Sequence, residues 1–169
     1  MLERFYPKEY REDITVIDYD SLRQKGIIAL VFDIDNTIAP FDVAEPDNGI
    51  IDFFAGLAGK GFKVCLLSNN KKERVLLFNQ KLKLHAIHRA GKPWKRGLRR
   101  ALTLLEAGPG QAAIIGDQIF TDVWCGNRMG IYTVLVQPIA QRDEWTVKLK
   151  RGLEKLVVDH YMKKAGAKP

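Results

Sequence analysis

Five short apolar runs recur along the chain, at 27–32, 62–67, 86–90, 112–115 and 132–136. Each is nearly continuous rather than alternating, the pattern of a strand covered on both faces in a parallel sheet. The run at 86–90 is the weakest, because His88 and Arg89 interrupt it. Stretches with helical spacing lie between the runs. Positions 48–60 stop before Gly61, and 71–82 carry Val75, Leu76 and Phe78. Positions 94–107 carry Leu98, Ala101, Leu102 and Leu105 before Gly108-Pro109-Gly110, and 121–129 stop at Gly130. This alternation predicts a doubly wound α/β fold with a mostly parallel sheet of about five strands. The chain shows no internal repeat or low-complexity linker, so residues 1–169 are expected to form a single domain with its core over about 25–137. A further helix is expected over 143–164, with Trp145, Leu149, Leu153, Leu156 and Val157 on one stripe, and 165–169 read as disordered.

The polar residues fall in a telling place. Asp33, Asp35, Ser68, Lys92 and Asp117 all sit at or just past the C-terminal end of an apolar run. In open α/β sheets that edge is where ligands bind. Four separate segments therefore deliver chemistry to one edge.

Composition narrows the partners. The chain has 27 Lys and Arg against 20 Asp and Glu, a net charge of +7. That balance favours an anionic partner: a phosphorylated substrate, a nucleic acid or an acidic membrane face. The two cysteines, Cys65 and Cys125, make no disulfide framework, and a reducing cytoplasm is the simplest setting. The first residues lack the apolar segment of a signal peptide, and no run is long enough to span a bilayer.

Asp33 and Asp35 are two apart, which in an extended segment places both on one face. Paired carboxylates can divide labour, one acting as nucleophile and the other moving a proton. A phosphoryl group needs its oxygens neutralised, and Lys92 can supply a point charge while Ser68 and the neighbouring Asn69 supply hydrogen bonds. Asp33 with Asp117 makes a sparse site of hard oxygens, which suits Mg²⁺ with several retained waters.

These segments carry a resemblance. Asp33-Ile34-Asp35-Asn36-Thr37 resembles the DxDxT motif of the haloacid dehalogenase (HAD) superfamily, and Leu66-Leu67-Ser68-Asn69-Asn70 resembles its second motif. Lys92-Pro93 before a helix resembles the third, and Gly116-Asp117-Gln118-Ile119-Phe120-Thr121-Asp122 resembles the fourth. One DxD is a weak signal, but four motifs in order at strand ends are a strong one. The resemblance implies a phosphatase in which Asp33 forms an aspartyl-phosphate and Asp35 protonates the leaving oxygen, then activates water. It implies that Ser68 and Lys92 hold the phosphate and that Asp33, the Asp35 carbonyl and Asp117 bind Mg²⁺. Asp122 would orient Lys92 or a metal-bound water. The opening Arg4-Phe5-Tyr6-Pro7 and the stretch 116–138 look like subfamily IIIA, and within it like bacterial relatives of the mitochondrial phosphatidylglycerophosphate phosphatase. Asn127 and Arg128 then become candidates for substrate binding or loop ordering.

Many HAD enzymes close a cap domain over small substrates. Here 33 positions separate Asp35 from Ser68 and 24 separate Ser68 from Lys92, which leaves no room for one. An open site suits a bulky substrate, or a neighbouring subunit acting as lid. A phosphorylated lipid headgroup, a nucleic-acid end, a sugar phosphate and a phosphoprotein all remain open, as does a non-catalytic phosphate- or RNA-binding module. Lys95, Arg96, Arg99 and Arg100 share a helix face that is expected to be an ordinary solvated one. The 143–164 helix is expected to pack its stripe on the domain, its lysines otherwise suiting an anionic membrane surface. Trp94 and Trp124 are expected to be packing residues.

Overall fold

The computed structural model describes residues 2–140 and 145–165, with the side chains of 145–151 and 165 outside that description. Its strands are β1 (Glu9–Arg11), β2 (Ala29–Phe32), β3 (Lys63–Leu67), β4 (His85–Ile87), β5 (Ala112–Gly116) and β6 (Tyr132–Val136). Its helices are α1 (Tyr19–Gln24), α2 (Asn48–Gly59), α3 (Lys72–Asn79), α4 (Lys95–Leu104), α5 (Trp124–Met129) and α6 (Trp145–Ala165).

The six strands form one sheet in the order β1-β6-β5-β2-β3-β4, and every pairing is parallel. The expected α/β fold is present, with one strand more than anticipated. The addition is β1, which extends the sheet along the edge of β6. The third predicted run becomes β4, displaced to 85–87. The chain leaves β2 to build β3 and β4 on one side, then returns to build β5 and β6 on the other. The crevice between β2 and β5 is thus the switch point of the sheet, where α/β proteins place their ligands.

Burial explains the continuous apolar runs. All four residues of β2 are buried. Leu30 and Phe32 pack with Phe54, Leu57, Val75 and Phe78 of α2 and α3 on one face. Ala29 and Val31 pack with Leu98, Ala101, Leu102 and Cys125 of α4 and α5 on the other. Asp47 caps α2 by accepting the Ile50 N–H at 2.8 Å. At the start of α4, a Cβ on Gly97 would lie 2.4 Å from the Ala90 carbonyl oxygen, so this helix reaches the loop bearing Lys92 only because position 97 has no side chain.

The helix α6 corrects an expectation. Val157 is buried, but Leu153 and Leu156 are 52% and 66% exposed, so the predicted stripe does not pack as a unit. The packed face is instead centred on Glu154 and Val157, because Glu154 is drawn inward to accept the Phe120 N–H at 3.4 Å. Trp145, Leu149 and the basic Lys148, Lys150 and Arg151 lie among the side chains outside the description, as do residues 143 and 166–169. Among the described residues, no helix is long and apolar enough to cross a membrane.

Candidate active site

The strand ends deliver their polar residues to one place. A cavity of about 310 Å³ is lined by Asp33, Asp35, Ser68, Asn69, Asn70, Lys92, Gln118 and Thr121. Asp33 still belongs to the sheet, its N–H donating to the Ile115 carbonyl at 2.9 Å. Beyond it Asn36 takes a left-handed φ of 64°, and the N–H groups of Thr37 and Ile38 return to the Ile34 carbonyl. This tight turn keeps Asp35 beside the same opening.

Lys92 is the centre of the site. Its Nζ donates to Asp33 Oδ1 and to Asp122 Oδ1, each at 2.6 Å, with all three side chains buried. Asn69 sets the Lys92 backbone from both sides: its Oδ1 accepts the Lys92 N–H at 2.7 Å and its Nδ2 donates to the Lys92 carbonyl at 3.0 Å. Ser68 is buried in the cavity wall, its Oγ accepting the Asn70 N–H at 3.0 Å. Asp122 projects from a wide π-type turn at Ile119–Val123, a form common at functional sites. Its second oxygen accepts the Gln118 N–H at 3.2 Å. A Cβ on Gly116 would fall 2.3 Å from the Asp122 Cγ, so the carboxylate lies directly on the glycine.

The electrostatics follow from burial. Burial pushes the Asp33 carboxyl up to about 6, the Lys92 ammonium opposing the rise and the Asp122 and Asp35 carboxylates adding to it. For Lys92, burial alone would lower the ammonium, but Asp122 and Asp33 outweigh it and hold it above the ordinary lysine range.

Carboxylate oxygens of Asp33, Asp117 and Asp122 lie within 4.8 Å of one another, all buried. These carboxylates and the Lys92 ammonium form one buried charged cluster, and carboxylates taken out of water persist only where cations or hydrogen-bond donors meet their oxygens. The donor set is all hard oxygen, so a divalent metal fits. The Thr37 hydroxyl lies 3.4 Å from Asp33 Oδ2 and from Asp117 Oδ1, on a different Asp33 oxygen from the one facing Lys92.

Two predicted residues sit elsewhere. Asn127 is no part of the cavity lining; its Nδ2 donates to the Arg4 and Tyr6 carbonyls at 2.9 and 2.8 Å and so orders the N-terminal segment. Arg128 donates to the Pro93 carbonyl at 3.1 Å, and its guanidinium lies 5.5 Å from the Trp94 ring and 5.3 Å from the Trp124 ring. These residues, with Arg4, line a second opening. Trp94 is 68% exposed, which overturns its expected packing role. Sequence reading missed Arg74, whose Nη2 donates to Asp35 Oδ1 at 3.0 Å. Nothing signalled it, since it lies in the charged stretch Lys71-Lys72-Glu73-Arg74, which reads as a solvent face.

A family model described as HAD-hydrolase-like matches residues 89–161. The chain is 32% identical over 165 residues to the probable phosphatase YqeG of Bacillus subtilis (strain 168), covering 97% of this chain and 96% of that protein. It is 28% identical to the chloroplastic/mitochondrial phosphatidylglycerophosphate phosphatase 1 of Arabidopsis thaliana, covering 94% of this chain but 48% of that protein. Among solved structures, a HAD phosphatase from Thermococcus onnurineus aligns with a TM-score of 0.55 at 15% identity, over 70% of this chain and 90% of that one. A Legionella pneumophila structure assigned to HAD subfamily III A aligns with a TM-score of 0.51 at 16% identity, over 88% and 90%. The fold and site define a capless HAD-like hydrolase. The chain belongs to the family of the probable phosphatase YqeG, within the HAD-like hydrolases.

Proposed function

We propose that this phosphatase uses Mg²⁺ and an aspartyl-phosphate on Asp33 to hydrolyse a phosphate monoester carried on a glycerophospholipid, with phosphatidylglycerophosphate as leading substrate. The observation that carries the reading is the buried Lys92 ammonium, held between Asp33 and Asp122 at the floor of an open polar cavity. A cation fixed there is positioned to meet a phosphoryl group as Asp33 attacks it. Ser68 supplies a hydroxyl to the same oxygens, and Asp35 carries the proton to the leaving oxygen and later takes one from water. Asp33 and Asp117, with Asp122 beside them, are the residues that would hold the metal, which would offset the charge of a carboxylate approaching a phosphate.

Three features support a lipid. Neither connection around Ser68 holds a cap, so a bulky substrate can approach. The relatives named phosphatidylglycerophosphate phosphatase match nearly this whole chain. The exposed Trp94 indole beside Arg128 joins an apolar body to a cation, a pairing suited to a phospholipid headgroup layer. We propose accordingly that the protein works at a membrane surface from the cytoplasmic side, by peripheral contact.

The test is phosphate release from phosphatidylglycerophosphate in mixed micelles, set against an oligonucleotide 3′-phosphate and a sugar phosphate, each with Mg²⁺ or EDTA. The reading expects the lipid to be the best substrate, no turnover in EDTA and none in Asp33→Asn. Preference for either soluble ester would remove the lipid assignment. Undiminished activity in Asp33→Asn would remove the mechanism.

A further inference from the structure

Asp35 is held from two sides. The Asn70 amide donates to its Oδ2 at 3.1 Å, and Arg74 Nη2 donates to its Oδ1 at 3.0 Å. Arg74 belongs to none of the four motifs, and it occupies an awkward position. It lies in the first turn of α3, where a cation opposes the helix dipole. It is also withdrawn from water, the paired Arg74 and Asp35 side chains being only 15% and 14% exposed. Its Nη1 donates to the Ala44 carbonyl at 3.3 Å, and its guanidinium carbon lies 5.0 Å from the centre of the Phe78 ring, one turn along the helix. Its Nε is buried and finds no partner among the described residues. A guanidinium kept at these costs is there for what it holds, and the charged group it holds is Asp35.

We propose that Arg74 is the positioning residue for Asp35, locking the carboxyl in the orientation that meets the leaving oxygen. The inference rests on the aspartyl-phosphate reading above. In the first step an Asp33 oxygen bonds to phosphorus, the bond from phosphorus to the leaving oxygen breaks, and the proton of Asp35 passes to that oxygen. In the second, a water oxygen bonds to phosphorus, the bond to Asp33 breaks, and Asp35 receives the water's proton. Toward Asp35 both Arg74 and the Asn70 amide nitrogen act as donors, and neither exchanges a proton in either step. Each occupies one site on one Asp35 oxygen, fixing the side-chain rotamer and leaving the remaining sites toward the cavity. The planar fork of arginine also reaches the Ala44 carbonyl, so the loop after Asp35 is strapped to the same carboxyl. A lysine is a single point charge and cannot span both.

The test compares two esters by kcat/KM, which reports every step up to departure of the leaving group and is blind to later hydrolysis of the aspartyl-phosphate. Glycerol phosphate expels an alkoxide that needs a proton; p-nitrophenyl phosphate expels a phenolate that does not. Misplacing a proton donor costs on the order of 10–100-fold, so Arg74→Ala is expected to lose about that much on glycerol phosphate and less than about threefold on p-nitrophenyl phosphate. The second ester also shows that the variant is folded. Arg74→Lys, which keeps the charge, is expected to recover part of the loss. In an Asp35→Asn background, Arg74→Ala is expected to add no further discrimination between the esters. Equal losses on both esters, or the full effect persisting without Asp35, would overturn the inference alone. A wild type inactive on both esters and on phosphatidylglycerophosphate in mixed micelles would overturn the aspartyl-phosphate reading and this inference with it.

Discussion

Replacing Asp33 with asparagine is expected to abolish activity and, without metal, to make the protein more stable. The perturbation keeps the shape of the side chain and removes one of three clustered buried carboxylates, while Lys92 keeps Asp122 at 2.6 Å. Burial raises the Asp33 carboxyl from 3.8 to about 6, a value already net of the attraction to Lys92. A folded-state value above the unfolded one means that the ionised carboxylate opposes folding. The stability gained from binding a proton is fully present below about pH 4 and is lost as pH rises through about 6. Keeping so strongly raised a carboxyl ionised in the folded protein costs about 3 kcal/mol. For a chain of this size, relief of that cost is a rise in Tm of roughly 6–12 °C. Thermal melts in EDTA at pH 7.5 should show this gain in Asp33→Asn, and the gain should shrink toward zero at pH 4. Added Mg²⁺ should raise the wild type and leave the variant nearly unmoved, closing or reversing the gap. A variant no more stable than wild type in EDTA at pH 7.5, or equally favoured at both pH values, would refute the electrostatic reasoning.

Lys92→Met leaves Asp33 and Asp122 buried without their shared cation, and urea unfolding in EDTA should show a loss of about 3–5 kcal/mol along with inactivity; a variant as stable as wild type would contradict this. Gly97→Ala drives a methyl group against the Ala90 backbone and should lower activity at least tenfold by displacing the Lys92 loop, at a cost of about 1–3 kcal/mol. Gly59→Ala, in the last turn of α2 with nothing within 4 Å of the added carbon, is the matched control and should be neutral or stabilising in the same melts. Trp94→Ala should reduce turnover of phosphatidylglycerophosphate in anionic vesicles several-fold while retaining turnover of p-nitrophenyl phosphate; equal loss on both would detach Trp94 from the lipid.

Legibility in the sequence tracked burial. The strands β2, β3 and β5 were readable because residues covered on both faces leave an unbroken apolar run. The edge strand β1, Glu9-Tyr10-Arg11, has no such signature, because it is three residues long and only partly buried. Asp33, Ser68, Lys92 and Asp117 were readable because a chain that crosses a sheet must place its strand ends at one edge. Arg74 was not, since its partner lies 39 positions away and only the packing of α3 brings them together. The stripe on α6 misled for a related reason. Helical spacing assumes that apolar residues choose the buried face, whereas Glu154 takes an inward position to satisfy a backbone N–H and turns Leu153 and Leu156 outward.

The contact between Gly116 and Asp122 also constrains how the family can diverge. The carboxylate occupies the volume of a missing methyl group and is aimed at Lys92 by the wide turn between them. Any larger residue at 116 ejects Asp122, so the two positions drift together or not at all. A single insertion or deletion between them would carry Asp122 around the turn and away from Lys92. Surface loops usually absorb such length changes, but this one behaves as a fixed-length ruler. Variation in substrate among related chains is therefore expected at the rim of the cavity rather than in the spacing of its fourth motif.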